Sequence, residues 1–298
     1  LLARSAQFVK CATGSSLLPR LFAHSLYEVE PKLGACLEVA EWRGGSESLE
    51  PALFAEATCV TATGSDETLE AIRKRLPSKV RFLGYGHRVS FGYLTQETLS
   101  GHEVRQLVAR AARDVVAWNQ LGCLSPHAFY VERGGRTPAV NFAEMLAQEL
   151  EQRELEEPRG QLPPESAVAI ASRRALYEVR AAHIPGTQHW CSPGSTAWTV
   201  VFEADPRFQH SCLNRFIYVK EVNSLEETLR GAEAVYGQIS TVGLAAPASR
   251  LQGIVADLAG WGVTRVCPIG QMQNPPLTWR HDGRPTLGDL VTWIDWEM

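Results

Sequence analysis

The amino-acid sequence predicts an α/β fold built on a substantially parallel sheet, and three observations carry that expectation. Short β-rich runs alternate with helix-period runs along nearly the whole chain. Residues 57–76 form a strand, a Gly-Ser turn and a helix pattern in one unit. The chain has 298 residues, 45% of them hydrophobic and 21% charged, enough at roughly 150 residues per domain for about two domains with a large core. Disordered and collagen-like classes are excluded by the same composition.

In chain order, residues 6–9 read as a strand, 17–27 as a helix, and 57–63 as a strand that passes through Gly64-Ser65 into a helix over 66–76, closed by Pro77. The amides of that turn face outward at the positive end of a helix dipole, a place suited to phosphate. The strongest helical pattern starts at Ser100, where Glu103 three residues on completes a capping box. Val104, Leu107, Val108, Ala111, Val115 and Trp118 then recur on one face. After a bend at 121–126, residues 127–132 read as a strand. Helices over 137–157 and 165–182 flank a polar linker, 158–164. Strands over 196–202, 216–222, 238–244 and 263–269, with helices from Ser224 and Ser249, continue the alternation. The last 30 residues are the least regular.

The 29 basic and 33 acidic residues leave a net charge of −4 with no long run of one sign, so nucleic acid is not an expected partner. No apolar stretch approaches the roughly 18 residues of a membrane-spanning helix, and no export signal opens the chain; it reads as cytoplasmic. The seven cysteines are odd in number and form no CxxC pair, against both a disulfide framework and a structural zinc site, and no metal is expected. A start at Leu1-Leu2-Ala3 reads as that of a fragment.

Among those cysteines Cys123 is the candidate nucleophile. It follows a glycine at the end of a long helix and precedes a Ser-Pro turn, where backbone amides can point at a bound carbonyl and stabilise an oxyanion by about 3–4 kcal/mol. Cys191, with His189 two residues away on the same face of an extended segment, is the rival. A nucleophile-elbow GxSxG motif is absent, as are GxGxxG and the P-loop. In Gly84-Tyr85-Gly86-His87-Arg88, His87 is open to two readings, a general acid or an imidazole satisfying a nearby carbonyl.

Several of these segments together resemble the acyl-CoA reductase family, the reductase component of the bacterial-luminescence fatty acid reductase complex, within the aldehyde dehydrogenase superfamily. They are residues 8–13, Ala62-Thr63-Gly64-Ser65, Gly84 to Gly92, Gln120-Leu121-Gly122-Cys123-Leu124-Ser125-Pro126, and the closing Trp279-Arg280-His281-Asp282-Gly283-Arg284. The resemblance implies an aldehyde-dehydrogenase-like fold: a partial nucleotide-binding domain over 1–81, a thioester-forming catalytic domain over 82–265, and a return to the nucleotide domain over 266–298, with the site between the domains. It implies that Cys123 accepts an acyl group from a long-chain acyl-CoA or acyl-protein, and that a reduced nicotinamide converts this thioester to the aldehyde. Lys10 matches the superfamily lysine on the adenosine ribose, and Gly64 and Ser65 match the pyrophosphate-side turn. Thr13 stands where NAD-preferring members carry a glutamate, so NADPH is the implied cofactor. The glutamate base of the oxidising members is missing, Phe82-Leu83-Gly84 occupying its region, which favours a reductase. His87 then serves either the aldehyde oxygen or the cofactor phosphates, and Asn119, four residues before Cys123, is a substitute donor to the oxyanion. A homo-oligomer, with acyl-transferase and ligase subunits, is the implied assembly. Two other classes stay open: a cysteine acyltransferase or thioesterase without redox chemistry, and a non-catalytic assembly subunit.

Overall fold

A computed structural model describes residues 1–101 and 103–298. It falls into two compact units, residues 1–86 with 284–298 and residues 87–283.

The first unit contains two parallel strand pairs. β1 (Gln7–Cys11) pairs with β2 (Leu37–Glu41) across α1 (Leu17–Val29) and the short α2 (Pro31–Gly34). After α3 (Glu50–Glu56), β3 (Cys59–Thr63) leads into α4 (Asp66–Arg75) and pairs with β4 (Arg81–Tyr85). Glu50, buried at the start of α3, binds Arg75 of α4, the Gly45 amide at 2.9 Å and the Trp42 indole at 3.3 Å, tying three segments together. Arg81 donates to the carbonyls of Asp289 and Val291 at 2.6 and 2.9 Å, which holds the end of the chain on β4.

The second unit is a seven-stranded sheet with helices on both faces. Its strands are β5 (Val89–Leu94), β6 (Pro126–Glu132), β7 (Thr187–Cys191), β8 (Thr199–Glu203), β9 (Phe216–Val222), β10 (Ile239–Ala245) and β11 (Arg265–Pro268), in spatial order β11-β10-β5-β6-β9-β8-β7. All neighbours run parallel except the edge strand β7. Side chains alternate between faces, as a period of two requires. Phe129, Val131, Ile217 and Val219 meet α5 (Val104–Val116) and α6 (Ala139–Glu156) on one side. Phe91, Tyr93, Tyr130 and Tyr218 meet α7 (Pro164–His183), α8 (Leu225–Gly231) and α9 (Ala248–Gly260) on the other. Burial on both faces explains why these strands read as nearly continuous apolar runs.

Most expected elements are present, with informative differences. Ser100 and Glu103 do not form a capping box: the Ser100 hydroxyl donates to Gln96 O instead, closing a 3₁₀ turn, and α5 begins at Val104. The apolar stripe ends before Trp118, which is 75% exposed because the backbone turns left-handed there. Gly84 and Tyr85, read from sequence as part of a glycine loop, end strand β4, and only residues 86–88 are loop before β5.

The glycine of Ser90-Phe91-Gly92 has a packing reason. A Cβ on Gly92 would stand 2.3 Å from the Phe129 ring and 3.1 Å from Ile269, between adjacent strands with nowhere to yield. Gly92→Ala is therefore expected to cost about 1–3 kcal/mol, read as a lowered denaturant midpoint with an unchanged m-value; an unaltered midpoint would contradict this packing.

Candidate functional site

Cys123 sits at the amino-terminal edge of the sheet, three residues before β6. The chain reaches it from α5 through three consecutive left-handed residues, Trp118 (φ 54°), Asn119 (φ 50°) and Gln120 (φ 63°). Such residues cost about 1–2 kcal/mol each when they are not glycine, so the turn persists only where neighbours fix it. A second left-handed run, Leu213, Asn214 and Arg215, lies against it, and the Asn214 amide donates to Asn119 O at 2.9 Å. The Asn119 side chain accepts from Arg215 at 3.0 Å and donates to Arg159 O at 3.2 Å, while Arg215 also pairs with Glu154 at 2.7 Å. Fully buried Gln120 donates to Pro126 O and Phe216 O at 2.8 and 3.0 Å, joining the first residues of β6 and β9.

The far side of the bend is held equally. The Ser90 hydroxyl on β5 donates to Cys123 O at 2.8 Å and accepts from the Thr241 amide on β10 at 3.2 Å. The Ser125 amide closes onto Gly122 O at 2.9 Å. Gln273 donates to the Ser125 hydroxyl, and its amide would lie 3.0 Å from a Cβ on Gly122, so a glycine is needed where the two segments touch. The segment carrying Gln273 is fixed by buried Asp114, which accepts from the amides of Gly270 and Met272 at 2.5 and 3.0 Å. Burial, only partly offset by those amides, raises the Asp114 carboxyl to about 6.

Cys123 itself is exposed. Surrounding protein nevertheless pushes its thiol up through desolvation, and the negative charge of Asp282 adds to this; the backbone N–H groups of Cys123 and Leu124 act on the sulfur in the opposite sense. The bend thus leaves two backbone N–H groups beside the thiol. Cys191 is half-buried on the edge strand β7, sharing a face with His189 as its spacing implies. All seven cysteines are free thiols.

The other sequence candidates are placed as follows. His87 is exposed just before β5, its ring 5.7 Å from His210, which lies 5.7 Å from His127. Phe208 packs on His127 and His210. This trio of imidazoles was not legible in the sequence, because its members are separated by dozens of residues. Burial first, then the neighbouring His210 and His87, lowers His127 to about 4, and its Nδ1 accepts from the Ser211 amide at 3.0 Å. No group of three or more His, Cys, Asp or Glu among the described residues is arranged to hold a metal ion. The Asn119 amide, engaged by Arg159 and Arg215, belongs to the turn that carries Cys123.

In the first unit, Lys10 lies on β1 and exposed Thr13 in the loop after it. Glu41, from the end of β2, reaches that loop: it accepts from the Gly14 amide at 2.6 Å and from the Ser16 hydroxyl. Those two bonds, with Arg20 and Lys10, hold its carboxyl below the usual range. Sequence reading missed this carboxylate, since Glu41 is far from Thr13 along the chain. Ser65 caps α4, accepting from the Thr68 amide at 3.3 Å, and the Gly64 amide donates to Tyr85 O at 3.2 Å. Asp66 and Glu67 occupy the first turn of that helix.

A family match to acyl-CoA reductase (LuxC) extends over residues 1–293. The chain belongs to that family. Comparison with curated proteins gives no match. Among solved structures this acyl-CoA reductase family chain is similar to a bifunctional proline utilization A protein, with a TM-score of 0.67 and 15% identity over 91% of this chain and 28% of that one. It is also similar to an NAD-dependent aldehyde dehydrogenase from Burkholderia multivorans, with a TM-score of 0.62 and 14% identity over 95% and 54% of the two chains. A third is an indole-3-acetaldehyde dehydrogenase complexed with NAD+, with a TM-score of 0.66 and 16% identity over 92% and 56%. These likenesses show an aldehyde-dehydrogenase-like fold, of which the chain spans little more than half in the single dehydrogenases. No helix among the described residues is long and apolar enough to cross a membrane.

The buried imidazole makes a testable contribution to stability. With its folded value at about 4 against an ordinary 6.5, His127 binds fewer protons in the native state than in the unfolded one across that window. Stability therefore falls as pH drops from about 6.5 to about 4. Asp114, raised from 3.8 to about 6, has the opposite slope over nearly the same range, so the difference between His127→Gln and wild type isolates the imidazole. Urea midpoints measured across that range should fall less steeply with acidification in the variant; parallel curves would contradict the assignment.

Proposed function

We propose that the protein reduces a long-chain fatty acyl thioester, from coenzyme A or an acyl-protein, to the aldehyde through an acyl group held on Cys123. The observation that carries this reading is the exposed thiol on a doubly braced bend, with the backbone N–H groups of Cys123 and Leu124 beside it. An attacking thiolate turns the substrate carbonyl into an oxyanion, and those fixed donors stabilise it without reorganisation. They take the role that sequence reading gave to the Asn119 amide, which here serves as a brace. His87, beside His210 near the same edge, is the candidate donor to the aldehyde oxygen.

The first unit fits a dinucleotide by its donor set. Lys10 offers a cation and Ser65 a hydroxyl at the start of a ten-residue helix, and the Glu41 carboxylate is engaged by Gly14 and Ser16. Lys10, Thr13, Gly64 and Ser65 are the residues that would hold it. Thr13 presents no carboxylate to a 2′-phosphate, and Arg20 and Lys10 offset Glu41, which supports NADPH over NADH. When bound, the reduced nicotinamide supplies the hydride that converts the Cys123 thioester to the aldehyde.

Full-length protein mixed with palmitoyl-coenzyme A is expected to gain the acyl mass by intact mass spectrometry, and Cys123→Ala to gain none. Adding NADPH should release aldehyde with matching loss of NADPH absorbance. Label retained by Cys123→Ala would remove the assignment; an adduct that never consumes NADPH would mark a cysteine acyltransferase or thioesterase instead. Lys10→Ala should raise the KM for NADPH by about tenfold and leave the palmitoyl-coenzyme A KM unchanged; equal effects on both would contradict its placement.

A further inference from the structure

Ser90 stands at a break in two strand ladders at once. On one side, β10 pairs Ile239 with Val89 and then Thr241 with Ser90, passing over Ser240. On the other, β6 pairs Pro126 with Ser90 and then Ala128 with Phe91, passing over His127. Each neighbouring strand thus carries an extra residue at the level of Ser90, and irregularities of this kind re-aim groups beside functional sites. Two hydrogen bonds meet there. The Thr241 amide donates to the Ser90 Oγ at 3.2 Å, and the Ser90 hydroxyl in turn donates to Cys123 O at 2.8 Å. A hydroxyl is needed for this relay because it accepts and donates at one atom, and Ser90 is fully buried, so bulk water does not compete for it.

The peptide unit that receives the second bond adjoins the thiol. Cys123 and Leu124 are the two central residues of a turn closed by the Ser125 amide on Gly122 O at 2.9 Å. That closing bond holds the ends of the turn and leaves the central peptide free to tilt about its two flanking Cα atoms. A peptide unit is planar, and in the trans form, which every peptide bond among the described residues adopts, its C=O and N–H point in opposite directions. Fixing Cys123 O on Ser90 therefore also fixes the Leu124 N–H, and turns it away from β5. No hydrogen bond among the described residues uses that N–H, and covalent connection alone keeps it beside Cys123.

We propose that Ser90 is a positioning residue for acyl transfer: by clamping the carbonyl of Cys123 it holds the Leu124 N–H ready for the oxyanion that forms when the Cys123 sulfur attacks an acyl thioester. As the new sulfur–carbon bond forms, the carbonyl electron pair moves onto oxygen, and the amide donates to that oxygen. When the carbon–oxygen double bond is restored, the bond to the coenzyme A sulfur breaks and the acyl group stays on Cys123. The proton given up by the Cys123 thiol is balanced by the one the departing thiolate takes up, and no oxidant or reductant is involved. Ser90 itself touches no substrate and exchanges no proton. The proposal rests on the reading of Cys123 as the acyl acceptor.

Two reactions of the same sulfur separate this role from a merely structural one. Acylation by palmitoyl-coenzyme A passes through an oxyanion; alkylation by iodoacetamide does not, since it displaces iodide from a saturated carbon. Both are followed on the Cys123 peptide by mass spectrometry in full-length protein, with the urea midpoint as the check on folding. In Ser90→Ala, acylation should slow about a hundredfold, while alkylation, compared on the plateau of its pH profile where the thiol is fully ionised, stays near the wild-type rate. Equal slowing of both reactions, or acylation as fast as in wild type, overturns the proposal and leaves the function standing. Should Ser90→Ala not fold, Ser90→Cys, close in shape but a weak donor, is read by the same ratio: acylation slowed against alkylation supports the clamp, and an unchanged ratio overturns it. A wild-type Cys123 that is alkylated but takes no acyl group overturns the acyl-acceptor reading and this proposal with it.

Discussion

The presentation of Cys123 depends on the mutual support of two backbone turns that would each be unfavourable alone. Residues 118–120 and 213–215 are left-handed without a glycine among them, and they lie against one another through the Asn214 amide and Asn119 carbonyl. Arg215 lies across the contact with Glu154 as counter-charge, and Gln120 fastens the pair to the first residues of β6 and β9. Removing any of these groups leaves strain with nothing to offset it. The bend that follows is therefore held in one conformation.

The two ends of the same strands are differently used. At the carboxyl ends of β5 and β6, Tyr93 and Glu132 are closed off by Arg250, which forms two 2.7 Å contacts to the Glu132 carboxylate and a further pair with Glu97. At the amino ends, Ser90 of β5 holds the Cys123 carbonyl and His127 of β6 accepts from the Ser211 amide. Ligands of open parallel sheets usually sit at the carboxyl ends. Here that end is locked by ion pairs, and the exposed Cys123 thiol is at the other.

The parts of this arrangement that could be read in the sequence are those whose cause is local. Strand β9 and helices α4 and α9 follow from periodicity, and the bend that carries Cys123 followed from a glycine, a helix end and a Ser-Pro turn. Strand β2 escaped notice because it is half-exposed and mixes glutamate with alanine, and β4 because Gly84 and Gly86 suggested a loop. The capping box at Ser100 failed for a related reason: its hydroxyl found a carbonyl one turn earlier. The bracing by Arg215, Ser90, Gln273 and Asp114, and the histidine trio, join residues far apart in the chain, and no spacing rule encodes them.

A thiol held in its protonated form at rest is a poor target for peroxide and other oxidants, which attack the thiolate. Desolvation, with the charge of Asp282 adding to it, raises the Cys123 thiol and so holds an exposed cysteine away from the form that oxidants attack.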